Sequence, residues 1–326
     1  MLKPIRRKIM TTENLHVVFG VGSVGLAVMR ELLKRGRRVR MVSRSGNITV
    51  PDGVELIKAD ATDPRSAAAA CADAQVVYQC AQPGYTEWIE KFPPIQAGVL
   101  SGAAAVGATL VVADNLYMYG SVHGPITEDL PYNATTRKGR LRAQMANQIL
   151  EAHRNGSIKA TIGRASNFYG PEAGAQGWFN DRVVPPLLAG KTVSLLGNID
   201  LPHTFSYVED FGTALVILGE HAAALGQAWH IPNAPTRTPR QVLTAFFEEA
   251  GKRPKIGTTP DLAVRALGLI NPMIREVAEM LYEFNEPFIV DHSKFERAFG
   301  NCATPEREAI RRTLAWYAQQ APVLAH

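Results

Sequence analysis

The sequence predicts an α/β protein: a doubly wound parallel sheet, with a smaller, discontinuous region toward the C-terminus. Three observations carry this. Strand and helix signals alternate from Leu15 to about Ala165, the pattern of a parallel sheet covered by helices. A glycine-rich turn, Gly20-Val21-Gly22-Ser23-Val24-Gly25, joins an apolar run to a helical stretch. After Gly170 the alternation fades and prolines accumulate, from Pro185-Pro186 through Pro202, Pro232 and Pro239 to Pro272.

Val17–Phe19 reads as the first strand and Gly25–Arg35 as the first helix, closed by Gly36. Strands follow at Val39–Val42 and Glu55–Lys58. Asp63 then caps a helix over Pro64–Ala72, because Pro64 suits the first helical position. Val76–Cys80, a helix near Pro93–Val106, Thr109–Ala113, a helix over Lys138–Arg154 and Lys159–Arg164 complete the alternation. Tyr207–Asp210 opens one more helix, to about His221, before a last strand at Ala228–Ile231. The sheet domain therefore spans 15–170 plus 205–232, and the second region 171–204 plus 233–321. Residues 1–14, with Lys3, Arg6, Arg7 and Lys8, read as a disordered basic tail.

Strand, glycine turn and helix form the context in which G-x-G-x-x-G means dinucleotide binding on a Rossmann sheet. Gly20 permits the tight turn, Gly22 lets a pyrophosphate approach the backbone, and Gly25 lets helix and strand pack closely. The helix N-terminus at Ser23 and Val24 offers N–H groups and a positive dipole end to phosphates. An NAD site usually places Asp or Glu about 20 residues on, to hold the ribose hydroxyl. Here Ser43 and Arg44 stand at that strand end. Serine does not repel a 2′-phosphate and arginine can pair with one, so the reading favours NADP, with NAD the alternative. Asp60 and Ala61 follow the third strand on the adenine side. Ligands in such sheets sit beyond the carboxyl ends of the strands, so chemistry should gather at Cys80-Ala81-Gln82-Pro83, Asp114–Gly120 and Ser166–Gly170.

Composition narrows the class. At 326 residues the chain can bury one large core or two modest ones, and its 46% apolar and 20% charged content is ordinary for a globular protein. The net charge of +5 owes much to the basic tail, which lacks the apolar segment of a secretory signal. No stretch approaches the roughly 18 apolar residues of a membrane helix. No basic stripe interleaved with aromatics suggests nucleic acid. Cys71, Cys80 and Cys302 are odd in number and show no metal spacing, which suits buried thiols in a reducing cytoplasm. The expected partner is a small-molecule substrate.

From about Leu15 to Ala318 the chain resembles the extended short-chain dehydrogenase/reductases, the group of sugar-nucleotide epimerases and dehydratases. The resemblance rests on the glycine turn, Asp60-x-x-Asp63 and Tyr119-Gly120 with Pro125, Glu128 and Pro131 downstream. It rests further on Arg164-Ala165-Ser166-Asn167-Phe168-Tyr169-Gly170-Pro171 and on Phe205-Ser206-Tyr207-Val208-Glu209-Asp210. It implies an NAD(P)-dependent oxidoreductase acting on a carbonyl or hydroxyl carbon, or an epimerase or dehydratase of a sugar-like substrate. It adds Cys80, Ala81 and Asn167 to the cofactor residues. Members of the group pair as homodimers through the helices near Pro93–Val106 and Lys138–Arg154, although here the second helix carries many cations.

The resemblance also exposes a departure. The group uses Tyr-x-x-x-Lys, with a Ser or Thr at the preceding strand end, for proton transfer and for stabilising the substrate oxygen. Counting from Tyr119-Gly120 puts Lys138 at the Tyr position, Arg142 at the Lys position and Asn115 at the Ser/Thr position. Arg142 can supply a fixed charge near the ribose but does not exchange protons. Asn115 can donate to a substrate oxygen. Tyr117 takes a position where the dehydratase branch carries a catalytic carboxylate. If the chain stays extended, Asn115 and Tyr117 point the same way, and Tyr117 becomes the acid/base. Lys138 is the other candidate, provided burial lowers its pKa. The competing reading makes Lys138 and Arg142 two exposed helix cations, and the protein then a catalytically silent NADP-binding sensor. His123, Trp178 and His203 are the substrate-side candidates. A neutral His203, where sugar-nucleotide enzymes often place an Arg, argues against a diphosphate.

Overall fold

A computed structural model describes residues 15–324, so the expected basic tail at 1–14 lies outside it. The first unit runs β1 (Leu15–Phe19), α1 (Ser23–Lys34), β2 (Arg38–Ser43), β3 (Glu55–Lys58), α2 (Pro64–Ala70) and β4 (Val76–Gln79). It continues with α3 (Trp88–Ala105), β5 (Thr109–Asp114), α4 (Arg137–Arg154) and β6 (Lys159–Arg164). β7 (Phe168–Tyr169), α5 (Val184–Leu188), β8 (Val193–Leu196), β9 (Ser206–Tyr207), α6 (Val208–Glu220) and β10 (Ala228–His230) follow. The remainder is α7 (Pro239–Glu249), β11 (Ile256–Thr259), α8 (Asp261–Gly268), α9 (Pro272–Ala278), α10 (Tyr282–Asn285), α11 (Ser293–Phe299) and α12 (Glu306–Leu324).

Seven strands form one parallel sheet in the order β10-β6-β5-β4-β1-β2-β3. The order reverses between β1 and β4, which creates the crevice where such sheets bind nucleotides. Alternation along β1 feeds two cores. Val17 and Phe19 pack with α2, α3 and α4 through Ala67, Val99 and Ile149. Val18 packs on the other face with α1 and α6 through Leu32, Phe211 and Leu215. Helix α6 lies so close to α1 that a Cβ on Gly212 would sit 2.6 Å from the Ala27 backbone.

Two expectations need adjusting. Helix α3 begins at Trp88, ahead of Pro93 and Pro94, which lie inside it. The carbonyls these prolines leave without donors, on Ile89 and Glu90, belong to exposed residues that water can satisfy. The second region does have its own core, where Phe179, Val184 and Leu187 meet Phe246, Phe247, Ile310 and Tyr317. Its β8 pairs with β11, and β7 pairs with β9. Residues 233–321 do not all belong to it, however. Helix α11 packs Phe295 into the sheet core, with its ring 6.5 Å from that of Trp229. No helix among the described residues is long and apolar enough to cross a membrane.

The carboxyl end of β5 carries the most heavily committed polar group. Asp114 is 6% exposed and accepts from two buried arginines. Arg142 of α4 donates from Nε to Oδ1 at 2.9 Å, and Arg164 of β6 donates from Nε to Oδ2 at 3.2 Å. Arg164 continues to the hydroxyls of Tyr119, at 2.6 Å, and Tyr132. Tyr119 in turn meets His230 Nε2 at 2.9 Å. One carboxylate therefore joins two sheet strands to α4. Removing one partner of a buried ion pair costs about 3–5 kcal/mol, because it strands the other charge. Asp114→Asn should lose stability of that order in urea unfolding; a loss below about 1 kcal/mol, the surface-pair range, contradicts the assignment.

Candidate active site

The cofactor cradle is built by the turn after β1. Gly20 adopts φ +105°, and a Cβ there would lie 2.6 Å from the Ala81 backbone nitrogen. At Gly25 a Cβ would strike the Gly20 carbonyl. Only glycine fits either place. Gly22 is the opposite case, since a Cβ there meets nothing within 4 Å. It is the N-cap of α1 with no side-chain cap, and the first turn carries no acidic residue. Open space before an uncapped helix N-terminus, at Ser23 and Val24, fits a phosphate. The residues present therefore suit a dinucleotide.

Around that turn, Ser43 is buried and its Oγ accepts from the Gly46 N–H at 3.3 Å. Arg44 is exposed and makes no ion pair among the described residues. Asp60 accepts from the Thr62 N–H and hydroxyl, both at 2.8 Å, and these bonds hold its carboxyl below the usual range. Its Oδ1 thus shapes the loop. Asp63 caps α2, accepting from Arg65 N at 3.0 Å. Ala61 packs against α3, where a Cβ on Gly98 would strike its carbonyl. Burial pushes the Cys80 thiol up to about 12, which leaves it unreactive beside the cradle.

The substrate side departs from several expectations. Neither Lys138 nor Arg142 is an exposed cation: they are 1% and 4% exposed. Arg142 is bound to Asp114 and its guanidinium lies 4.5 Å from the centre of the Phe92 ring. This buried pairing serves the fold and weighs against the expected role of Arg142 at the ribose. Lys138 Nζ is ion-paired with Glu276 Oε2 and sits 4.4 Å over the Tyr85 ring. Burial pushes its pKa down to about 8, with Glu279 pulling it back up and Arg137 adding to the fall.

The chain beyond β5 does not stay extended, which removes the premise for aligning Asn115 with Tyr117. Tyr117–Tyr119 form a single 3-10 turn. Asn115 Oδ1 accepts from the Tyr117 N–H at 3.2 Å and fixes that turn. The Tyr117 hydroxyl lies 3.5 Å from that of Tyr85. Burial first, and then Tyr85 and Glu283, push its phenol well above the usual value. A phenol with no cation against it is a poor proton exchanger near neutral pH. This burial weighs against the expected role of Tyr117 as acid/base.

Asn167, assigned above to the cofactor, commits its amide to His203 and Glu283. Nδ2 lies 3.1 Å from His203 Nε2 and 3.5 Å from Glu283 Oε2. Burial pushes His203 down to about 3, with a bond to the Glu283 backbone pulling it back. The imidazole is thus neutral. It stacks on Trp178 at 4.7 Å and Phe205 at 4.6 Å. His123 is exposed in the loop after Gly120, and the structure joins it to none of the other candidates.

Sequence reasoning missed the carboxylates that face this side. Glu276, Glu279 and Glu283 come from α9 and α10 and the turn between them, and Glu276 and Glu279 also pair with Arg137. Their i, i+3, i+7 spacing was the available signal, since it sets three side chains along one helical face.

Known proteins share this fold. The model of the NAD dependent epimerase/dehydratase family matches residues 16–231. No curated protein matches the chain. A dTDP-glucose 4,6-dehydratase from Streptomyces venezuelae with NAD bound is 18% identical, with a TM-score of 0.77 over 95% of this chain and 98% of that one. A UDP-glucuronic acid 4-epimerase from Bacillus cereus in complex with NAD is 17% identical, with a TM-score of 0.77 over 94% and 98%. A UDP-glucose 4-epimerase from Thermus thermophilus, also in complex with NAD, is 20% identical, with a TM-score of 0.74 over 93% and 99%. At these identities the structural likeness speaks for the fold, and the family match covers more than half of the sequence. The chain belongs to the NAD dependent epimerase/dehydratase family.

Proposed function

We propose that the protein is an NADP-dependent oxidoreductase acting on a small carbonyl or hydroxyl substrate, with Lys138 as its acid/base. The observation that carries this is the buried Lys138 amine. It occupies the tyrosine position implied by the resemblance, it lies over the ring of Tyr85, whose hydroxyl is 3.5 Å from that of Tyr117, and its pKa falls to about 8. A group with a pKa near the working pH exchanges protons most effectively. The bound nicotinamide supplies or accepts the hydride. In the reducing direction Lys138 gives its proton to the nascent alkoxide. The Tyr117 hydroxyl donates a hydrogen bond to the same oxygen, stabilising charge as it forms. In the oxidising direction the neutral amine removes the hydroxyl proton. An epimerase or dehydratase uses the same proton exchange with hydride transfer in both directions, and the family match favours that as the second reading.

These roles fix a pH profile and a mutant series. With Lys138 as acid, kcat/KM for reduction of 4-nitrobenzaldehyde by NADPH should be level below pH 8 and fall above it, as the amine loses its proton. Lys138→Ala should lower kcat by about 10²–10⁴-fold, the usual contribution of general acid catalysis, and Tyr117→Phe by about tenfold or less. Full activity in Lys138→Ala beside a dead Tyr117→Phe returns the acid/base role to Tyr117.

The NADP preference rests on Ser43 and the exposed Arg44. A charge-assisted hydrogen bond contributes about 1.5–3 kcal/mol, so Arg44→Ala should weaken NADPH binding by roughly tenfold or more and leave NADH unchanged. Fluorescence titration with both cofactors measures this. Tighter binding of NADH than NADPH to the unaltered protein contradicts the preference.

A further inference from the structure

Beyond the reacting oxygen, one buried carboxyl has no evident structural task. Glu283 is 2% exposed, and its Oε1 has no hydrogen-bond partner. Its other oxygen reaches only the Asn167 amide, at 3.5 Å. The neighbouring Tyr282 hydroxyl is also buried without a partner. Groups left this way cost stability, and proteins retain them where a ligand completes the bonding. The surroundings are largely aromatic. Tyr117 lies within electrostatic range of Glu283, Tyr282 and Tyr85. Phe284 stacks on Trp178 at 5.2 Å with an 11° angle between the rings, and Trp178 stacks on His203.

We propose that Glu283, Tyr282 and Asn167, against the Trp178–Phe284 stack, form a binding site for an uncharged polar group that both donates and accepts hydrogen bonds, carried on a flat or apolar body. The inference rests on the carbonyl/hydroxyl reading only for placing this site beside the reacting oxygen. Charge excludes an anion. Arg137 is paired with Glu276 and Glu279, Lys138 with Glu276, and Arg142 and Arg164 with Asp114. Glu283 makes no ion pair among the described residues, and His203 is neutral. An anion entering here would be buried without a counter-ion. Burial raises the Glu283 carboxyl to about 8, so at pH 7 it presents both a donor and an acceptor, matching an alcohol or a primary amide. A nucleoside diphosphate does not fit these terms.

Two measurements test this, and neither reads hydride transfer, so failure of the acid/base reading leaves both outcomes unchanged. The first is calorimetric titration of the NADP-loaded protein at pH 7 with benzamide, its anionic isostere benzoate, and UDP. Benzamide should bind at least tenfold more tightly than benzoate, and UDP should give no binding at this site. Glu283→Leu should weaken benzamide at least tenfold and leave benzoate unchanged. The second is the Tm of Glu283→Leu, which should equal or exceed that of the unaltered protein, because a group kept for a ligand is dispensable to the fold. Equal or tighter binding of benzoate or UDP, no binding of benzamide, an unchanged benzamide affinity in Glu283→Leu, or a lowered Tm in that variant each overturns the proposal.

Discussion

Asp114 is the group on which the rest of the site depends. It stands at the carboxyl end of β5, where a parallel sheet opens toward its ligands, and it holds Arg142 and Arg164 in a buried cluster. Because Arg142 is drawn to Asp114, the rotation of α4 about its axis is set. Lys138 lies one turn earlier on the same face and is therefore turned inward, over Tyr85. The clamp thus has two effects. It holds Arg142 on Asp114 rather than free in the crevice, and it leaves Lys138 buried.

Electrostatics then separates the two halves of the crevice. On the cofactor side, the uncapped N-terminus of α1 and exposed Arg44 offer positive potential to phosphates. Toward α9 and the turn after it, two carboxylates, Glu276 and Glu279, pair with Lys138 and Arg137. Burial disfavours the charged amine while the carboxylates favour it, and for Lys138 burial prevails. His203 cannot add a charge because its imidazole is sealed among aromatic rings.

Much of this was legible in the sequence, and the part that was not has a physical reason. The sheet and the glycine turn rest on short-range patterns. Apolar runs mark β1 to β6, and Gly20, Gly22 and Gly25 meet constraints set within one turn of chain. The capping role of Asp63 is local in the same way. The partners of Lys138 and Arg142 were hidden because they are distant in sequence. Glu276 lies 138 residues beyond Lys138, and Asp114 belongs to the preceding strand. Two of the many cations of α4, Lys138 and Arg142, turn inward for the same reason. Asn167 sat within a recognisable motif, but its direction depended on His203 and Glu283, which a motif does not display.

Under the proposed chemistry, α4 presents a proton-exchanging amine to the substrate. Nitrogen-detected NMR of the NADP-loaded protein, with Lys138 assigned by comparison with Lys138→Arg, follows that amine directly through a pH titration. A midpoint near pH 8 is the result this structure predicts. A midpoint above about 10, the ordinary lysine value, contradicts it and leaves Lys138 as a permanently charged partner of Glu276.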